Sequence, residues 1–188
     1  MRNVISALVM NEPGVLANVA GMFAARGFNI DSLVVGRTED PKLSRMTIVV
    51  VGDDNTLDQV RKQLAKLVPV VSVRDFKQTA YIERDLALIT VGVGPHQRGE
   101  VIEVVGLFRG KVVDIAPESL LVELAGTEEK VEAFIELMRP YGIKELARTG
   151  IISMARGVQP TKEVVVVQTS SKRTRSINAP ASVSLPPS

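Results

Sequence analysis

Residues Asn11–Ile30, NEPGVLANVAGMFAARGFNI, decide how the rest of the chain is read. Asn11, Glu12 and Pro13 are helix-start residues, because a short polar side chain can accept the orphan N–H groups of a first turn and proline tolerates that turn. Gly14 leaves the backbone unshielded at the helix mouth. Partial positive charge and free donors there make a candidate site for a carboxylate that needs no basic side chain. From Val15 the apolar residues Leu16, Val19, Ala20 and Phe23 predict one buried stripe on a helix of about three turns. Arg26 and Gly27 close it as a cation and a C-cap glycine.

Outward from this stretch, Asn3–Met10 is apolar and β-branched enough for a buried strand. Ile30–Arg37 and Leu43–Val51 read as two strands of a hairpin around the turn residues Thr38–Lys42. Gly52, Asp53 and Asp54 introduce a second helix with Leu57, Val60, Leu64 and Leu67 at helical spacing, stopped before Pro69. Val70–Phe76 supplies a last strand. The order β-α-β-β-α-β over residues 1–77 is the ferredoxin-like split unit, a four-stranded antiparallel sheet with both helices on one face. Ile30–Arg37 would lie at a sheet edge, apolar and without proline, so a homodimer using this edge is expected.

After a polar connection, Lys77–Asp85, the same grammar returns. Leu86–Val93 is a strand, followed by a helix with Val101, Val104, Val105 and Phe108 on one face. Lys111–Ile115 and Leu120–Leu124 form a hairpin around Pro117. Thr127 caps a helix bearing Val131, Phe134, Ile135 and Met138, and Ile143–Met154 is the final strand. The fold class predicted is α+β, two tandem ferredoxin-like domains over 1–77 and 78–157. Beyond Gly157, residues 158–188 are rich in Pro, Ser, Thr and basic residues around one apolar island, Val164–Val167; this tail is expected to be disordered, or ordered only against a partner.

A chain of 188 residues that is 45% hydrophobic can bury one ordinary core or two small ones, so periodicity and not length decides for two. With no Cys there is no disulfide framework, thiolate metal site or cysteine nucleophile, which fits a reducing cytoplasm. No apolar run is long enough for a membrane span, and a cytoplasmic location is expected. The net charge of +2 arises from Lys172–Arg175, outside the globular part. A near-neutral body with five Phe, two Tyr and no Trp lacks the basic face and stacking platform that nucleic acid requires.

The sole histidine, His96, has no second His or Cys with which to hold zinc, and reads as a solvated loop residue. In Val91–Glu100, VGVGPHQRGE, a dinucleotide fingerprint would need glycine at Gln97, and a phosphate loop would need lysine where Glu100 stands. Asp53-Asp54 and Glu128-Glu129 lie at helix starts, where they complement the dipole. Nucleophile, base and oxyanion donors are nowhere assembled, so no catalytic residue and no metal site is expected. Asn11, Gly14 and Asn29 remain open between two roles: cap, tight turn and loop on one side, ligand binding on the other.

Several stretches make the choice narrower: NEPGVL (Asn11–Leu16), RGFNIDSL (Arg26–Leu33), DPKLSRMTIVV (Asp40–Val50), QLAKLVPV (Gln63–Val70), FRGKVVDI (Phe108–Ile115), LAGT (Leu124–Thr127) and ARTGIISMARG (Ala147–Gly157). In these, residues 1–157 resemble the small regulatory subunits of acetolactate synthase (acetohydroxyacid synthase), whose first domain is of ACT type. The resemblance implies a non-catalytic subunit that activates a catalytic large subunit and confers feedback inhibition by a branched-chain amino acid, usually valine. Thiamine diphosphate, Mg and FAD are then expected on that catalytic partner and no cofactor on this chain. By position, Asn11, Gly14, Val15 and Leu16 would line the effector site from one protomer, with Asn29 and Ile30 from the other. Arg45, Gln63 and Lys66 would contact the catalytic subunit. A free-standing ACT-type sensor with another client is the alternative.

Overall fold

The computed structural model describes residues 1–157 and, beyond them, the strand pair Val164–Val165. The first half runs β1 (Arg2–Met10), α1 (Val15–Ala25), β2 (Ile30–Arg37), β3 (Leu43–Val51), α2 (Asp54–Leu64) and β4 (Val70–Asp75). Its strands pair antiparallel in the order β4-β1-β3-β2, which leaves β2 at one edge. The second half repeats the plan with β5 (Tyr81–Gly92), α3 (Arg98–Leu107), β6 (Lys111–Ala116), β7 (Ser119–Gly126), α4 (Glu128–Met138), β8 (Ile143–Arg148) and β9 (Ile152–Ala155). The sheet order is β6-β7-β5-β8, with β9 also on β5. A further strand, β10 (Val164–Val165), pairs with β4. The rest of the tail expected to be disordered lies outside the described residues.

Period-two alternation builds both cores. Ile5, Ala7 and Val9 of β1 lie opposite Ile48, Met46 and Ser44 of β3, and the apolar members of this face meet Val19 and Phe23 of α1 and Leu57, Val60 and Leu64 of α2. In the second half Ala87, Ile89 and Val91 meet Val122, Leu124 and Phe134. The caps explain two of the helix starts: the Asp53 carboxylate accepts from Thr56 N at 2.8 Å, and Thr127 Oγ1 accepts from Lys130 N at 3.4 Å.

Four sequence expectations change. The cap of α1 is Gly14 in the left-handed region (φ +84°), with no side chain closing it; Asn11 is used elsewhere. The stripe on α1 is narrower than expected. Val15, Val19 and Phe23 are buried, whereas Leu16 (48% exposed) and Ala20 face outward, because they lie about 100° around the helix and nothing among the described residues covers them. The strand β5 starts at Tyr81, not Leu86, because Tyr81–Arg84 pair with Ala155–Ile152. And the last strand is broken: Arg148 pairs with Ala87 and Ile152 with Arg84, so Thr149–Ile151 oppose only Asp85 and Leu86, a bulge made by Gly150 at φ +81°.

That bulge joins the halves. The face of the first sheet away from its helices carries Val4, Val49, Ser32 and Val34; Ile151 packs there with Val4, Val49 and Phe76, and Tyr81 and Ala155 border the cluster. A Cβ on Gly150 would come within 2.6 Å of Ser32 Oγ and 3.0 Å of Val34 Cγ2, so the bulge crosses β2 at a distance only glycine permits. Among the described residues no helix is long and apolar enough to cross a membrane.

Candidate functional site

The turn between β1 and α1 is held from one side. Asn11 N donates to Lys42 O at 2.7 Å and its side-chain amide donates to Pro41 O at 3.0 Å, fixing residues 11–14 against the β2–β3 turn. With Asn11 engaged there and Gly14 as an unassisted cap, the orphan N–H groups of the first turn are left to solvent or a ligand. A Cβ at Gly14 would meet nothing within 4 Å among the described residues, which leave the space over the turn open. Val15 sends its side chain into the core (5% exposed), and its N–H reaches Glu12 O at 3.4 Å; it cannot supply an apolar wall. Leu16 can, being exposed beside the turn.

Asn29 is exposed and Ile30 half-buried against the first core, between α1 and β2. They stand at the other end of α1 from Gly14. An 11-residue helix is about 16 Å long, so one chain does not bring the two groups together. The exposed side of α1, from Leu16 through Ala17, Ala20 and Ala24, has no charged side chain.

The three residues expected at the catalytic subunit also separate. Gln63 and Lys66, half-buried and exposed, border a depression of about 410 Å³ at the end of α2, with Gln59, Lys62 and Ala65. Arg45 pairs in register with Leu8 and Gly36, on the opposite face of the sheet, and its Nη1 donates to Ser6 Oγ at 3.1 Å. Beside it a groove of about 430 Å³ runs between β2 and β9, lined by Val34, Arg37, Thr47, Ile152 and Met154.

Unforeseen in the sequence is a charged junction next to Ile30. Arg2 Nε donates to Asp31 at 3.2 Å and its Nη2 donates to Glu128 at 2.7 Å, tying the start of β2 to the start of α4. Burial lifts the Glu128 carboxyl above its ordinary value, with Arg2 pulling the other way. Alongside, Arg148 Nε donates to Asp85 Oδ2 at 2.9 Å, and its other nitrogens reach Asp85 and Glu132. Burial works to lower the Arg148 pKa, but the hydrogen bonds to Asp85 and Glu132 outweigh it and hold the guanidinium charged. The one signal that pointed here was Asp85 itself, a carboxylate entering an apolar strand; its side chain is fully buried. Among the described residues no group of three or more His, Cys, Asp or Glu side chains could hold a metal ion.

Comparison with known proteins gives this geometry its context. The family described as AHAS small subunit-like ACT domain matches residues 5–72, and the family described as small subunit of acetolactate synthase matches residues 84–157. A protein of Archaeoglobus fulgidus named "Probable acetolactate synthase small subunit" is 54% identical over 157 residues, 84% of this chain and 98% of its own. That match leaves no room in it for an extension as long as residues 158–188. The acetolactate synthase small subunit of Mycolicibacterium smegmatis is 49% identical over 153 residues, 81% of this chain and 90% of its own. The crystal structure of the acetolactate synthase small subunit from Thermotoga maritima superposes with a TM-score of 0.78 at 44% identity, covering 84% of this chain and 98% of that one. The chain belongs to the family of acetolactate synthase small subunits, with a first domain of that family's ACT type.

Proposed function

We propose that this subunit forms a homodimer, activates the catalytic large subunit of acetolactate synthase, and makes it sensitive to a branched-chain amino acid, valine first, bound where two copies meet. The observation that supports the reading is that Gly14 and Asn29 lie at opposite ends of an uncharged, outward-facing helix side. An antiparallel contact between the α1 helices of two copies sets Gly14 of one beside Asn29 of the other, and it also brings together the open β2 edges. The effector carboxylate then meets the N–H groups of the α1 first turn, its ammonium meets the Asn29 amide oxygen, and Leu16 and Ile30 accept the branched side chain. A pocket of this kind separates valine from isoleucine by only about 1–3 kcal/mol per methylene, so related amino acids compete.

The acyl-transfer chemistry stays with the large subunit, where thiamine diphosphate, Mg and FAD belong, and this chain acts on it only through contact. Gln63 and Lys66 at the end of α2 supply that contact; Arg45, on the other face, serves a separate one or none. Effector binding lowers the rate only if the dimer holds the amino acid with different affinity in its activating and non-activating arrangements. The experiment is to add the chain to the purified large subunit and follow acetolactate formation with and without valine, leucine and isoleucine. The expected outcome is a higher rate that valine reverses. An unchanged rate rejects the subunit reading and leaves a sensor with another client.

A further inference from the structure

We propose that the strand Val164–Val165 is an intramolecular cover for the β4 edge of the first sheet, which shuts that edge to pairing with other chains. An open edge strand offers a row of unpaired N–H and C=O groups to any extended segment. The edges of the second sheet are blunted in ordinary ways. A register shift between Val112 and Asp114 interrupts β6, Lys144 and Glu145 stud β8, and the Thr149–Ile151 bulge follows it. The strand β4 is different. Its first four residues, Val70–Val73, carry no charge, and its own bulge falls at Val71, where the register with β1 passes from Leu8↔Ser72 to Val9↔Val70. Past that bulge Ser72 and Val73 form the regular, uncharged part of the edge.

Those are the two residues that β10 covers: Val164 lies opposite Val73 and Val165 opposite Ser72, antiparallel. The path is short. Arg156 N donates to Ala80 O at 2.8 Å, so the chain leaves β9 beside the segment that has just left β4. Six residues, 158–163, separate Gly157 from Val164, and a segment of that length can reach at most about 20 Å. A strand tethered this closely competes with strands from solution at high effective concentration. The proposal requires neither an effector nor the large subunit.

Three proteins test it: the full chain, the chain ending at Gly157, and the full chain with Val164→Pro and Val165→Pro, which removes two donors but keeps the length and charge of the tail. Amide exchange over residues 70–75 is read by mass spectrometry, with β1 and β3 as the control for an intact fold, and mass is followed by sedimentation over a wide concentration range. The expected result is exchange in β4 about tenfold faster in both altered proteins, and association beyond the state of the full chain as concentration rises. Unchanged exchange in either altered protein overturns the pairing. Faster exchange without further association overturns the guarding role.

Discussion

Replacing Gly150 by alanine tests the junction between the two halves, and the structure allows its cost to be worked out in two parts. The backbone at φ +81° costs a residue with a Cβ about 1–2 kcal/mol. The new methyl would also stand 2.6 Å from Ser32 Oγ and 3.0 Å from Val34 Cγ2. The serine hydroxyl can rotate away, but Val34 is β-branched in a strand and has little χ1 freedom, so overpacking adds about 1–3 kcal/mol. The total is about 2–5 kcal/mol. Gly27→Ala is the control, since Gly27 sits at φ +67° with nothing within 4 Å of a Cβ and incurs the backbone part alone. The excess of Gly150→Ala over Gly27→Ala, about 1–3 kcal/mol, reports the contact between the bulge and β2. Urea unfolding followed by circular dichroism, at one protein concentration because association adds stability, gives both values. Equal losses would refute the contact.

Further outcomes follow from the same junction and from the half-sites. Arg148→Met strands the fully buried Asp85 carboxylate and should cost about 3–5 kcal/mol, whereas Glu132→Gln, at an exposed partner of the same guanidinium, should cost under about 1 kcal/mol; similar thermal shifts for the two would contradict the burial of Asp85. Arg2→Gln breaks the tie between Asp31 and Glu128, loses no more than about 1 kcal/mol of stability, and should leave calorimetric valine affinity unchanged while weakening valine inhibition of the assembled enzyme; full inhibition would show that the signal does not cross there. Asn29→Ala should weaken valine binding about tenfold with an unaltered unfolding midpoint, and unaltered affinity would move the pocket elsewhere. Hydrogen bonds from the Thr56 hydroxyl and N–H hold the Asp53 carboxyl below its ordinary value, so its stabilisation is present above the unfolded-state pKa and is lost as pH falls through the folded one. The acid limb of the urea midpoint against pH should therefore be shallower in Asp53→Asn, and an identical limb would remove Asp53 from acid unfolding.

How much of this was legible in the sequence is best seen along α1 and β5. Local apolar spacing located the helix, but of the expected stripe Leu16, Val19, Ala20 and Phe23 only Val19 and Phe23 are buried, in line with Val15 at i, i+4, i+8. Leu16 and Ala20 carry the same apolarity but face outward, because hydrophobicity says that a residue wants cover without saying which chain provides it. Asn11 has the side chain of a helix cap, yet a carbonyl forty-one residues into the chain claims it, and only a long-range hydrogen bond could reveal that. The pattern of β5 misled in the other direction. Tyr81, Glu83 and Asp85 alternate with exposed residues as a strand should, but polar side chains at those positions read as a connection, since their inward partners are another strand's bulge and a half-buried arginine. Local periodicity thus recovered each split unit, while what joins the units depended on charges whose partners are distant in sequence. The same distinction applies to the proposed effector site: the motifs around Gly14 and Asn29 are both short and local, and a helix about 16 Å long keeps those two residues apart in one chain. In the proposed homodimer a second copy, laid antiparallel on the exposed side of that helix, closes the distance.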